Sequence, residues 1–379
     1  MQHPLRKGGL AMTHPRILMR LTALLLTAAL LLLTGWMLRQ EPVAMLPRAA
    51  ERSLLRIWVT SSVGGGTAWL KEQLRAWEKA NPGVMTYLRT VSPEETVEDG
   101  AVLPDLILYM PGDFAAPESI FSPLTGSMPA REALLRAGRW QGSQYGLPLC
   151  WGAWVLALDG ALEPELAATP APTTLLGRPA VTLSPLATPA PGFPLEAASQ
   201  AEIPLQAPQG AGLFALSMLL EEKPELPADF ALLPPAEVYS GFRARKYASA
   251  MLTTGQITAF SSLTGAGKGF PFRVMVPEEI ITDQLWLGSV VQGAAEEAVA
   301  LLAHLIAPEA QKALGSQGLH TVREDLRLYV TGTEAQVESA AARGLTAINA
   351  YVPAEDAASA AWRVFEGREN LSEALMGLI

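Results

Sequence analysis

Tyr145-Gly-Leu-Pro-Leu-Cys-Trp151-Gly-Ala-Trp154-Val-Leu-Ala-Leu-Asp159 is the stretch that decides how this chain folds. A Gly-Leu-Pro turn leads into an apolar run with two tryptophans three residues apart. Side chains of extended backbone alternate faces, so Trp151 and Trp154 are expected on opposite sides of a strand. One ring then sits in a core while the other lines a cleft. The plainer alternative is a buried strand in which both are core.

Upstream of this stretch the pattern is α/β. Ser53–Thr60 is apolar and β-branched and runs into Ser61-Ser62-Val63-Gly64-Gly65-Gly66-Thr67, a strand followed by a glycine turn. Trp69, Leu70, Leu74 and Trp77 recur at helical spacing until Asn81-Pro82-Gly83 stops the helix. Val84–Val91 and Leu103–Met110 read as two further strands. Strand, helix, strand, strand implies a mostly parallel sheet. Short hydroxyls at the carboxyl end of a strand face the crevice of such sheets, which makes Ser61 and Ser62 candidate ligand contacts. Helix capping is the equal alternative for both.

Downstream, residues 164–208 hold ten prolines, a density that forbids long helices and central strands. Pro179–Ser184 is the one strand expected there. Helical patterns follow from Gly210 to Lys223 and from Glu237 to Met251. Thr254–Ser262 reads as a short strand, and Phe272–Pro277 and Asp283–Val291 as two more. A helix from Ala294 to Leu314 restarts at Pro308. Thr264-Gly-Ala-Gly-Lys-Gly269 fails the phosphate-loop pattern, since Ser262 and Gly269 stand where it needs a glycine and a hydroxyl residue.

The chain has 379 residues, 49% hydrophobic and 17% charged, enough for more than one ordinary core. Four histidines and the single Cys150 leave no metal-ligand cluster and no intramolecular disulfide. No metal or cofactor is expected. Six of the 28 basic residues fall in the first 50, with Glu41 as the only acid, so the remainder carries 22 bases against 36 acids. So acidic a body excludes nucleic-acid binding.

The uncharged run Leu21–Leu38 gives a helix of about 27 Å, close to the hydrocarbon thickness of a bilayer. Arg16 and Arg20 before it keep that end cytoplasmic and send the body outside. We therefore expect a cytoplasmic N-terminus (1–16), a transmembrane anchor (17–38) and a tether (39–52), with a cleaved signal peptide as the competing layout. Leu33-Thr-Gly-Trp36 resembles a lipobox in which tryptophan replaces the lipidated cysteine.

Seven pieces in sequence order resemble the extracellular solute-binding proteins of bacterial ABC importers, in the maltose-binding-protein-like, sugar-binding group. They are Leu54-Leu-Arg-Ile-Trp58 with its glycine turn, Trp69–Gly83, Pro104-Asp105, Tyr145–Pro148 into its apolar strand, Gly255-Gln-Ile-Thr-Ala-Phe260, Glu296–Val322, and Phe365–Leu375. The resemblance implies an α/β fold of type II, periplasmic-binding-protein-like, with two lobes, a central cleft and hinge closure. It divides the body into a first lobe (53–148), a second lobe (149–270), a return to the first (271–323) and C-terminal helices mainly on the second (324–379).

A sugar ligand requires aromatic rings for its apolar faces and a few polar groups for its hydroxyls. The expected stacking residues are Trp151, Trp154 and Trp286, the last equally readable as core. The expected polar contacts are Ser61, Ser62, Ser261 and Asp283, while Asp105 reads as structural. The expected protein is a monomer that partners ABC permease subunits and the membrane. Two rivals stand beside it: a tethered extracytoplasmic hydrolase, for which neither GxSxG nor HExxH occurs, and a sensor or scaffold that kept the fold.

Overall fold

The computed structural model describes residues 26–27, 53–97, 103–160, 182–183, 186–189, 209–219, 235–245 and 247–379. The chain divides into two units, Met1–Arg52 and Ser53–Ile379. Among the described residues no helix is long and apolar enough to cross a membrane. The anchor expected at 17–38 lies outside them apart from residues 26 and 27, which are helical.

The second unit opens with β1 (Ser53–Val59), α1 (Gly66–Ala80) and β2 (Val84–Thr90), with β1 and β2 parallel. Gly65, at φ 85°, turns the chain into α1. The helix buries Trp69, Leu70, Gln73, Leu74 and Trp77 on one stripe and ends where Asn81 Nδ2 bonds the Trp77 carbonyl at 2.9 Å. β3 (Leu106–Tyr109) runs parallel on the other side of β1. Asp105 fixes that register by accepting from the Arg56 amide at 2.7 Å, a structural role.

After α2 (Glu132–Ala137) and the hairpin β4 (Arg139–Trp140) and β5 (Ser143–Gln144) comes the opening stretch. It forms two strands, β6 (Leu147–Trp151) and β7 (Trp154–Asp159), which join different sheets. Then follow β8 (Thr182–Leu183), β9 (Leu186–Pro189), α3 (Gln209–Leu219), α4 (Pro235–Arg243), β10 (Tyr247–Thr253) and α5 (Thr254–Gly265). The chain goes on through β11 (Phe272–Met275), β12 (Ile280–Thr282), β13 (Leu285–Val290), α6 (Glu296–Leu305) and α7 (Pro308–Lys312). It ends with α8 (Gly332–Arg343), β14 (Leu345–Ala347), α9 (Ala354–Phe365) and α10 (Leu371–Met376).

The first sheet has the order β2-β1-β3-β13-β6, with β13 antiparallel to both β3 and β6. The second, β11-β7-β10-β9-β8, is antiparallel throughout. β7 is buried on both faces: Val155 and Ala157 join the large core shared with the first sheet, and Trp154, Leu156 and Leu158 face Leu213, Phe214 and Phe365 of α3 and α9. β11, just after the return expected at 271, pairs in the second sheet. The first sheet is re-entered at Leu285.

Two local expectations are corrected. The helix expected from Glu237 to Met251 stops at Arg243, and Tyr247–Thr253 becomes a strand between β7 and β9. Arg245, at φ 57°, makes the turn between them, so sheet pairing overrides local helical spacing. The strand expected at Thr254–Ser262 is helix α5. A capping box starts it: Thr253 Oγ1 accepts from the Gln256 amide at 3.2 Å and Gln256 Oε1 from the Thr253 amide at 2.9 Å. In the proline-rich segment the structure adds β9 to the single strand expected near Thr182. Replacing Thr253 with alanine removes one half of the box and should lower stability by about 1 kcal/mol, whereas Thr253→Ser keeps it; urea denaturation of both variants checks this.

Candidate functional site at the junction of the two sheets

The chain passes from the first sheet to the second at Gly152-Ala153, and it comes back into the first at Asp283-Gln284 from β12, which pairs in parallel with β14; the two crossings lie side by side. The Gly152 amide donates to the Gln284 carbonyl at 2.7 Å, and Thr282 Oγ1 donates to the Gly152 carbonyl at 2.6 Å. Thr254, at the start of α5, exchanges two bonds with Ala153, amide to carbonyl at 2.9 Å and amide to Oγ1 at 3.2 Å. Gly152 is needed here because a Cβ would stand 2.9 Å from Thr254 Oγ1. Both crossings leave the first sheet at the carboxyl ends of β1 and β3, since β13 runs antiparallel and begins at that edge. That edge is where open α/β sheets bind ligands.

The loop after β1 is organised by Asp113, from the loop after β3. Its Oδ2 accepts from Thr60 Oγ1 at 2.8 Å, from Ser61 Oγ, and from the Met110 amide at 3.2 Å. Ser61 Oγ in turn accepts from the Met110 amide at 3.0 Å. Ser61 is thus half-buried and engaged inside the protein, while Ser62, Gly64 and Gly65 remain exposed. Gly64 lies directly against the start of α5, where a Cβ on Gly255 would come 3.1 Å from the Gly64 carbonyl oxygen. The first-sheet loop and the second-sheet helix therefore meet backbone to backbone. Ser261 is exposed further along α5.

The three tryptophans expected to stack on a ligand are all buried, Trp151 and Trp286 at 0% exposure and Trp154 at 1%. Each indole N–H is bonded inside the protein. Trp286 donates to the Ser61 carbonyl at 2.8 Å and lies edge-on to Trp69, 6.4 Å between centroids. Trp151 donates to the Thr321 carbonyl at 2.9 Å and stacks on His320 at 4.5 Å. Trp154 donates to Asp283 Oδ1 at 2.8 Å. No ring face is open to solvent, so in this conformation the three support the junction from beneath. Trp151 and Trp154 do enter different cores, because the strand breaks at Gly152 and restarts in another sheet.

Asp283, expected at the ligand, is also buried. It accepts from Trp154, from Gln284 Nε2 at 3.1 Å and from the Ala211 amide at 3.2 Å. Burial pushes its carboxyl up to about 6, against the pull of those donors. His320 is fully buried with its imidazole pKa pushed down by burial, and it faces Trp151 and Glu338 rather than a hydroxyl nucleophile. Cys150 is a buried hydrophobe whose thiol pKa burial drives up.

The residues that organise the site and were not anticipated are Asp113, Thr254, Gly255, Thr282 and Gln284. One local signal pointed to Asp113: the Pro111-Gly112-Asp113 turn, with Gly112 at φ 92°, follows directly on β3. The arrangement offers hydroxyls, a carboxylate and exposed glycine backbone at one edge, which is hydrogen-bonding chemistry suited to a neutral polyhydroxylated ligand.

No family model matches the sequence, and no curated protein matches it. Solved structures do. The GacH receptor of Streptomyces glaucescens, studied with acarbose, aligns over 85% of this chain and 95% of its own at 13% identity and TM-score 0.54. CpMnBP1 with mannotriose bound aligns over 86% and 98% at 15% identity and TM-score 0.57. An ABC substrate-binding protein from Listeria monocytogenes in complex with cycloalternan aligns over 86% and 97% at 14% identity and TM-score 0.56. The chain has the type II periplasmic-binding-protein-like fold. This is the fold that the ordered sequence pieces imply.

Two measurements probe the junction. In the unfolded chain the Asp283 carboxyl titrates near 3.8, and in the folded protein at about 6. The folded state thus holds a proton that the unfolded state has lost between these values. The stability this gives is complete below the lower value and disappears as pH rises through the upper one, on the order of 3 kcal/mol. The difference in unfolding free energy between wild type and Asp283→Asn should change across this window and level off above it; a constant difference would refute the assignment. Trp151→Ala and Trp154→Ala should each destabilise the fold by about 3–5 kcal/mol in chemical denaturation.

Proposed function

We propose that this chain is an extracytoplasmic solute-binding protein that holds a carbohydrate between its two lobes and presents it to an ABC importer. The observation that carries the reading is the coincidence, on the carboxyl edge of β1 and β3, of both crossings and the Asp113-ordered loop. The fold supports it, as do the sugars named for the similar structures: acarbose, mannotriose and cycloalternan. Binding fits a site whose described hydroxyls, Thr60 and Ser61, are paired with Asp113.

In this reading the first lobe comprises residues 53–151 with the return from 285 to 323, and the second runs from 154 to 282 with the C-terminal helices. Ser62 and the Gly64–Gly65 backbone are the first lobe's polar contacts, with Ser61 held ready by Asp113. Ser261 lies on α5, the helix that faces them. Trp151, Trp154 and Trp286 form the floor and hinge. The Gly64–Gly255 approach is a closing contact, and the unstacked ligand face opens when the lobes part about the crossings. Residues 17–38 anchor the protein in the cytoplasmic membrane, with the body outside as the excess of basic residues near the N-terminus directs. Its partners are the permease subunits, and no cofactor is required.

A ligand that binds only the folded state raises its melting temperature by mass action. Oligosaccharides of gluco- and manno-type at about millimolar concentration should shift Tm upward, and Asp113→Ala should reduce that shift. If no sugar moves Tm, while the protein is folded by circular dichroism, the carbohydrate reading fails.

A further inference from the structure

A second concave site lies apart from the junction, between the start of α2, the segment 324–327 and the end of α8 running into β14. It encloses about 430 Å³. Three guanidiniums line it, from Arg131, Arg327 and Arg343, together with Glu132 and Glu324. Glu132 is already held by Arg139, which donates to both its oxygens at 2.5 and 3.2 Å. Arg343 reaches only carbonyls, those of Glu278 at 3.1 Å and Ser339 at 3.4 Å. Among the described residues none of the three arginines is in an ion pair. Arg131 Nε is buried without any hydrogen-bond partner. Glu324, and Glu279 where it packs against Gly344, leave the guanidiniums in excess.

The Arg131 Nε–H has no acceptor among the described residues, so the hydrogen bonding of the cluster is incomplete as it stands. Guanidinium forks match the paired oxygens of carboxylates and phosphates. Small side chains of Ala133, Ala341 and Ala342 leave the concavity open, at the scale of a small-molecule site rather than a protein face. We propose that this groove binds a small oxyanion, a carboxylate or phosphate group, through Arg131, Arg327 and Arg343. It shares no residue with the junction, so its ligand is a second one.

Isothermal titration calorimetry of the full chain with citrate and with pyrophosphate, at fixed ionic strength, tests the proposal. At least one probe should bind saturably at a single site, and sodium chloride at equal ionic strength should not. Arg327 and Arg343 are exposed, so the Arg327→Gln/Arg343→Gln variant should keep the wild-type Tm while losing about tenfold or more in affinity. Arg131→Lys should also weaken binding, because it keeps the charge and loses the fork. Citrate alone binding would mark a carboxylate site and pyrophosphate alone a phosphate site. No saturable heat from either, or unchanged affinity in the double variant, would overturn it.

Discussion

The structure depends on one constraint: the backbone must leave the first sheet and come back to it through a buried junction without leaving its polar groups unpaired. A buried, unpartnered amide or carbonyl costs as much as many apolar contacts contribute. The crossings meet this by bonding each other, Gly152 to Gln284 and Thr282 to Gly152, and by recruiting Thr254 from the helix that starts beside them. Glycine at 152 is the steric condition for that pairing.

From the junction the rest follows by packing. Trp151 and Trp154 flank the first crossing and Trp286 follows the second, and each uses its indole N–H to tie a neighbouring segment: the Thr321 backbone, Asp283, and the loop after β1. A large ring with one donor suits this role, since it fills a core and still fixes a direction. The same tie places Ser61 and the glycine turn at the edge of the first sheet, where Asp113 completes their order. The site is thus a consequence of how the hinge is packed. Its exposed part is small and polar because the aromatic surface is spent beneath it.

Much of the first sheet and its leading helix was legible locally. Ser53–Val59, the Trp69/Leu70/Leu74/Trp77 stripe, the Asn81-Pro-Gly stop and the next strand carry their own punctuation. The second sheet and the helix after β10 were harder, for two identifiable reasons. Tyr247–Thr253 has no strong alternation and becomes a strand because β7 and β9 offer it partners. The segment beginning at Thr254 is apolar enough to pass for a strand, and its Thr253–Gln256 capping box is what makes it a helix. In the site, aromatic residues were visible as letters, but burial is a property of what packs on them. The role of Asp113 is likewise not local, because the hydroxyls of Thr60 and Ser61 that it orders lie about fifty residues upstream.

The sequence by itself determined an α/β body, acidic overall, with an apolar N-terminal run behind basic residues and a break at the Trp151–Trp154 stretch. Those are matters of composition, period and turn residues, which act over a few positions. Only the tertiary structure decided that the break falls at Gly152, that the tryptophans are covered, and that Asp283 is sealed beside Trp154 while Asp113 orders the open edge. These depend on contacts between segments as much as 225 residues apart, such as Trp286 with Ser61. Such contacts are selected by packing and hydrogen-bond satisfaction across the fold, and no local pattern encodes them.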